Sequence, residues 1–330
     1  MLNITFRIEL DSLYAKIQFS HFSITMKSIY ISIIFVLSLV LFIAGCSKPK
    51  IDPDAYAKEI TAWQEKRAKS ISSENGWITL AGLFWLKPGE NTFGSDSTNA
   101  IILPKSIPAF AGTLFFKDGA VSLTAREGVD VRIDDSLRAP QLLRSDADTA
   151  GPSVVSIGSV SFYVIQRANQ TGVRVKDKQN PARLNFTGLK FFPINLKWRV
   201  QATFEKYPAP EKMPVATVIG TVDTFACPGE VKFTLNDKEL RLVAMIEPGS
   251  DGELYFMLSD ETSGKETYGA GRQLYSSLPD SAGNVTLDFN KTINWPCAYT
   301  SYATCPIPPS KNHLAVRIEA GEMNYPGHKD

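Results

Sequence analysis

Gly112 to Ala125 reads GTLFFKDGAVSLTA. Two runs of alternating apolar and polar residues flank Lys117-Asp118-Gly119-Ala120, and Asp-Gly is a pair that tolerates the left-handed backbone of a tight hairpin turn. The same pattern returns in VSFYVIQRANQTGVRVKD (160–177), KWRVQATF (197–204) and VKFTLNDKELRLVAM (231–245), the last turning at Leu235-Asn236-Asp237-Lys238. Such turns recur about every ten residues until Met257, a spacing typical of all-β domains. The expectation is a mainly β protein, an antiparallel sandwich or barrel.

Upstream, DAYAKEITAWQEKRAKSISSENGW (54–77) sets Tyr56, Ile60, Trp63 and Arg67 near one face of a helix, with Asp54 as an acidic start and Gly76 beyond the end. One N-terminal amphipathic helix is expected. The proline-rich segment YPAPEKMP, 207–214, is the candidate boundary between a helix-plus-β domain at 54–206 and a C-terminal β region at 215–330. The alternative is one continuous domain, 54–330, with the prolines in a long loop. No βα alternation appears, and Gly269-Ala270-Gly271-Arg272 lacks the third glycine of a dinucleotide loop, so no nucleotide cofactor is expected.

The stretch MKSIYISIIFVLSLVLFIAGC, 26–46, reads as a lipoprotein signal: Lys27, an apolar run too short to span a bilayer on its own, then Ile43-Ala44-Gly45-Cys46. Residues 1–25 are expected to be a mis-called upstream start, Cys46 the lipidated first residue, and 47–53 a tether. The protein would then sit in the cell envelope of a bacterium, membrane-bound through Cys46 and facing the periplasm. With 35 basic and 34 acidic residues and no basic run interleaved with aromatics, nucleic-acid binding is not expected. In that compartment Cys297 and Cys305 are candidates for a disulfide, worth about 2–3 kcal/mol in chain entropy, which leaves Cys227 over. A metal centre is not expected: the cysteines are too widely spaced, and only His313 and His328 follow the signal.

From Asp260 the chain changes character. DETSGKETYGAGRQLYSS (260–277), VTLDFNKTINWPCAYTSYATCPIPPSKNHL (285–314) and RIEAGE (317–322) mix polar residues with Gly, Pro and aromatics and have little periodicity. Irregular, loop-rich structure laid over the β scaffold is expected, the usual place for a site. The motifs TYGAGRQL, LDFNKTINWPCAYTSYATCPIPPSKNHL and EAGE, with GWITLAGLFWLKPGENTFGSD (76–96) upstream, resemble the family called domain of unknown function 1684, over about Trp63 to Glu322. The resemblance implies no reaction. That family carries Pro where Trp295 stands and Arg where His313 stands, which argues against an essential role for either, and some of its members lack export signals. Gly89 to Ser106 faintly resembles the opening of a forkhead-associated sandwich. Ser95 replaces that family's arginine and its later Ser-x-x-His is absent, so the resemblance implies a fold and not phosphothreonine binding.

Within this block Arg272 suits a bidentate grip on a carboxylate or phosphate, or else an internal ion pair with Asp260, Asp288 or Glu322. Asp288, Asn290 and Asn294 would project from one face of an extended strand. Tyr268 offers a hydroxyl, Asn312 an amide, and Glu319 and Glu322 offer carboxylates. The leading expectation is a binding lipoprotein that holds a small polar or anionic ligand through these eight residues. The alternatives are a carboxylate- or metal-dependent hydrolase of a glycan or other envelope substrate, and a polar clamp that only closes the fold. The chain has no Gly-x-Ser-x-Gly or HExxH motif, so a Ser or Cys nucleophile would depend on His313 as its base.

Overall fold

In the computed structural model, residues 51–137, 141–250 and 252–326 are described. The signal segment 26–46 with Cys46, residues 1–25, the tether residues 47–50 and His328 lie outside them. Among the described residues no helix is long and apolar enough to cross a membrane.

The turn residues behave as their chemistry demands. Asp118 and Gly119 stand at φ 50° and 81°, and Asn236 and Asp237 at φ 50° and 59°, so each hairpin turns through two left-handed residues. Among the described residues helix α1, Pro53–Ser72, comes first and buries Tyr56, Ile60 and Ile71. Eleven strands follow: β1 (Leu80–Trp85), β2 (Gly89–Gly94), β3 (Ile101–Ile102), β4 (Gly112–Lys117), β5 (Ala120–Ala125), β6 (Arg132–Ile133), β7 (Ser136–Leu137), β8 (Gln141–Leu143), β9 (Val155–Ile157), β10 (Val160–Arg167) and β11 (Gln170–Asp177). They form a five-stranded sheet, β3-β2-β4-β5-β8, and a six-stranded sheet, β1-β11-β10-β9-β6-β7. Both contribute to one core that includes Phe93, Leu114, Leu123, Phe162, Val164 and Val173. Phe93 of β2 meets Phe162 of β10 edge to face, with ring centroids 5.4 Å apart, a contact that joins the two layers of a sandwich.

After the short helix α2 (Pro181–Leu184) come β12 (Arg199–Ala216), β13 (Val222–Leu235), β14 (Lys238–Ile246), β15 (Glu253–Asp260), β16 (Arg272–Ser277), β17 (Asn284–Asp288), β18 (Ile293–Asn294) and β19 (His313–Leu314). These make an eight-stranded sheet ordered β17-β12-β13-β14-β15-β16-β18, with β19 parallel to β15. The proline segment 207–214 lies inside β12. Its register jumps between Lys206↔Gly229 and Glu211↔Cys227, and the bulge takes up prolines that cannot donate to a ladder. The described residues from Pro53 onward group as one compact unit.

This sheet is covered on both faces. Leu254, Phe256 and Leu258 of β15 enter a core with Phe233, Leu274, Phe289 and Ile318. Tyr255 and Met257, pointing the other way, pack with Phe225, Met245 and Trp295. Two buried faces explain why LYFML reads as an unbroken apolar run. Each such side chain contributes about 1.5–3 kcal/mol through burial.

Candidate functional site

Gly271 and Gly321 shape the polar block. They stand at φ 86° and 74°, and a Cβ would meet Leu258 O at 2.4 Å in the first case and Thr292 Oγ1 at 1.9 Å in the second. Glycine is required at both. The chain can therefore bring the carbonyls of 318–322 against Arg272, the first residue of β16. Arg272 Nη2 donates to Asp260 Oδ2 at 2.8 Å and to Ile318 O at 2.9 Å, and Nη1 donates to Ala320 O and, at 3.4 Å, to Glu322 O. Asp260 Oδ1 accepts from Thr262 N at 2.8 Å, Thr262 Oγ1 at 2.7 Å and Ile318 N at 3.1 Å. Neither side chain of this pair is accessible, and of the guanidinium only Nε lacks an acceptor. The arrangement is that of a buried, hydrogen-bonded ion pair.

Glu322 lies beside it. Its Oε1 accepts from the Tyr299 hydroxyl and from Asn294 Nδ2 at 3.3 Å, and its Oε2 from Asn294 N at 3.2 Å. Arg67 Nε of α1 stands 3.7 Å from Oε2. Burial pushes the Glu322 carboxyl above its ordinary range, against the opposing pull of Arg67 and the donors. The Tyr299 phenol is pushed up by burial and then by Glu322.

The eight sequence candidates do not converge on one pocket. Asp288, Asn290 and Asn294, expected on one strand face, are split: Asp288 ends β17, Asn290 sits in the 3-10 turn Phe289–Lys291, and Asn294 belongs to β18. The Tyr56 hydroxyl donates to Asp288, 2.7 Å from Oδ1, and accepts from Asn290 Nδ2 at 2.8 Å, tying α1 to the sheet. Asn312 is wholly buried and brackets Val243 of β14, accepting from its N at 2.8 Å and donating to its O at 3.0 Å. Glu319 is exposed and paired with Arg317 at 3.0 Å, while Tyr268 packs half-buried on the outer face of the sheet. The block is also less irregular than its composition suggests, since β16 and β17 run through it.

Ser259 Oγ lies 3.1 Å from His313 Nδ1, and His313 Nε2 lies 3.3 Å from Glu261 Oε1. This order of hydroxyl, imidazole and carboxylate is a consequence of pairing, because Ser259 and His313 are register neighbours in β15 and β19. The imidazole and carboxylate are about half exposed, and neither belongs to the lining of the cleft. Cys297 and Cys305, expected as a disulfide, are free thiols, as is Cys227.

The cleft is where sequence reading falls short. A cavity of about 760 Å³ opens between the β10–β11 hairpin and the outer face of the large sheet. The sheet supplies Phe225, Tyr255, Gln273 and Tyr275, and Trp295 follows directly on β18; the opposite wall supplies Trp77, Arg167 and Arg174; Arg67 reaches in from α1, and Thr304 and Cys305 come from the loop after Trp295. Tyr255 and Tyr275 pack with centroids 4.9 Å apart, and Tyr275 donates to Glu247 Oε2 at 3.0 Å. Burial, with Glu247 adding to it at Tyr275, raises both phenols above their ordinary range, so they stay neutral.

Arg174 stands apart from the other cations. It is 4% exposed, yet among the described residues no carboxylate approaches it within 4.0 Å. Its Nη2 donates to Thr304 Oγ1 at 3.2 Å and its guanidinium lies 5.6 Å from the Trp77 ring centroid. Arg167, by contrast, holds Asp146 at 2.7 Å. Asp223 and Glu247 also line the cavity but do not reach Arg174. Among the described residues four buried side-chain N–H groups have no acceptor, at Arg67 Nε, Arg174 Nε, Arg272 Nε and Trp295 Nε1. Three of those four residues line this cleft. An uncompensated buried cation and orphaned donors are costly, and their concentration around one cavity marks it as the candidate site. Arg174 gives little sign of this in sequence, since in TGVRVKD it occupies the polar position of an alternating strand between Val173 and Val175.

No curated protein matches the chain. Among solved structures, the solution NMR structure of an uncharacterized protein of Haloarcula marismortui is 27% identical, over 44% of this chain and 81% of that one, at a TM-score of 0.37. A family profile matches residues 184–323, a narrower span than Trp63 to Glu322, taking in every strand of the large sheet and leaving Arg67, Trp77, Arg167 and Arg174 upstream. Over that region the chain is similar to the family described as protein of unknown function (DUF1684).

Proposed function

We propose that the protein is a binding lipoprotein, held to the envelope membrane through Cys46, whose cleft takes a small ligand by its carboxylate or phosphate group. The observation that carries this reading is Arg174, a buried cation without a counter-ion beside two further orphaned donors. An anion would satisfy the charge and accept the free N–H groups, with the fork of the guanidinium suited to two parallel hydrogen bonds. The aromatic wall of Tyr255, Tyr275 and Trp295 would pack the apolar part of the ligand. The Met26–Cys46 signal supports the address. The block around Arg272 serves as the clamp that closes the fold, a reading favoured by its inaccessible, internally paired side chains.

Thermal shift of the full-length protein in detergent, against inorganic phosphate and a set of small carboxylates, tests the reading. A ligand at about a hundred times its dissociation constant stabilises by about 2.7 kcal/mol, which is several degrees at about 2–4 °C per kcal/mol. The stabilisation should vanish in Arg174→Gln. No shift with any anion, or an equal shift in the variant, contradicts it.

A further inference from the structure

Cys297 N donates to Cys305 Sγ at 3.2 Å, which sets the two cysteines side by side, and Cys305 lines the cleft. The residue before it, Thr304, accepts from both cleft arginines, Arg167 Nε at 3.1 Å and Arg174 Nη2 at 3.2 Å. Cys305 is thus the chain neighbour of the sole hydrogen-bond acceptor that Arg174 has among the described residues.

We propose that Cys297 and Cys305 form a redox couple, and that closing the disulfide draws Thr304 away from Arg174 and opens the guanidinium to the cleft. The geometry favours the couple. The sulfurs are already neighbours, both residues are under a tenth exposed, and an eight-residue separation closes a short loop. The contact with Cys305 brings Cys297 below the ordinary thiol range, helped by Arg174 and opposed by burial, while Cys305 is pushed up by the same contact and by burial. Of the two, Cys297 is the thiol that ionises more readily. Cys227 is an internal reference. Burial pushes its thiol up to about 11, and its Sγ donates to a backbone carbonyl, Phe225 O at 3.8 Å.

The co-reactant is a disulfide. The thiolate of the pair attacks one sulfur of an external disulfide, whose S–S bond breaks and whose leaving thiolate takes up a proton. The neighbouring thiol then loses its proton and displaces the second external thiolate from the mixed disulfide. The protein dithiol is oxidised by two electrons, and the external disulfide is reduced to two thiols.

The inference rests on the cleft reading only in assigning Arg174 as the anion receptor, and its test needs no anion to bind. Full-length protein is equilibrated in glutathione buffers of graded redox ratio. The Cys297–Cys305 disulfide is quantified by peptide mass, and the rate of Arg174 labelling by an arginine-specific dicarbonyl is measured at each ratio. The disulfide should form while Cys227 remains a thiol, and Arg174 should label several-fold faster in the oxidised form. In the Cys297→Ser/Cys305→Ser double variant the labelling rate should not follow the buffer. Thiols that persist in fully oxidised glutathione overturn the couple. A disulfide that forms without changing the labelling rate overturns its link to the cleft. A failure of anions to bind, with the labelling response intact, would instead sink the proposed function alone.

Discussion

Two arginines of this chain are buried almost equally and surrounded quite differently. Arg272 is wholly inaccessible and meets a carboxylate and three backbone carbonyls. Arg174 is 4% exposed and has one threonine hydroxyl and the face of an indole. Removing a guanidinium from water carries a desolvation penalty. In the first the protein offsets it with a carboxylate and three carbonyls; in the second no carboxylate among the described residues lies within 4.0 Å. Burial alone therefore does not distinguish a clamp from a receptor, but the inventory of partners does.

The largest effect should come from the satisfied arginine. Arg272→Ala strands Asp260 in a closed core, which costs about 3–5 kcal/mol, or roughly 6–20 °C in Tm for a chain of this size. Calorimetry of the full-length protein measures it, and a loss within a degree or two of wild type would break the comparison from the structural side. Tyr56→Phe is the intermediate case. It removes the hydroxyl that joins α1 to Asp288 and Asn290 and should destabilise by about 1–3 kcal/mol, read from chemical denaturation; an unchanged midpoint would mean that α1 is held by its apolar face alone.

The smallest effect is a slope. Burial holds the Glu322 carboxyl above its ordinary value, so the folded protein binds this proton more tightly than the unfolded chain does. That contribution to stability is complete below the ordinary carboxyl value of 4.5 and is lost as pH rises through the folded value. Glu322→Gln cannot titrate and should flatten the decline. Denaturation midpoints followed from acid towards neutral pH test this, and a slope equal to wild type would place Glu322 outside the balance.

Much of the fold is legible in the sequence because its determinants are local. Asp118-Gly119 and Asn236-Asp237 announce their turns, the alternation beside them announces the strands, and Tyr56 and Ile60 mark the buried face of α1. The proline segment 207–214 misleads as a boundary because a bulge opposite Pro228 accommodates prolines inside a long strand. The polar block stands out by composition, yet whether Arg272 faces a ligand or Asp260 depends on the carbonyls of 318–322, which sequence spacing does not reveal. The cleft is least legible of all. Arg174 looks like an ordinary solvent-facing residue of β11, and it is the Trp77 ring and the 303–306 loop, distant in sequence, that bury it. The matched family region contains the aromatic wall and the thiols, whereas the arginines lie upstream of it, so the site is written in two separate parts of the chain.

The most direct test of the central claim is the Tm of full-length Arg174→Gln without added ligand, set against Arg272→Ala under the same conditions. A residue kept for an external anion is a stability burden in the empty protein, so the Arg174 variant should melt at or above the wild-type temperature. A fall as large as that of the Arg272 variant would show that Arg174 is also structural and would remove the basis for the cleft as a receptor.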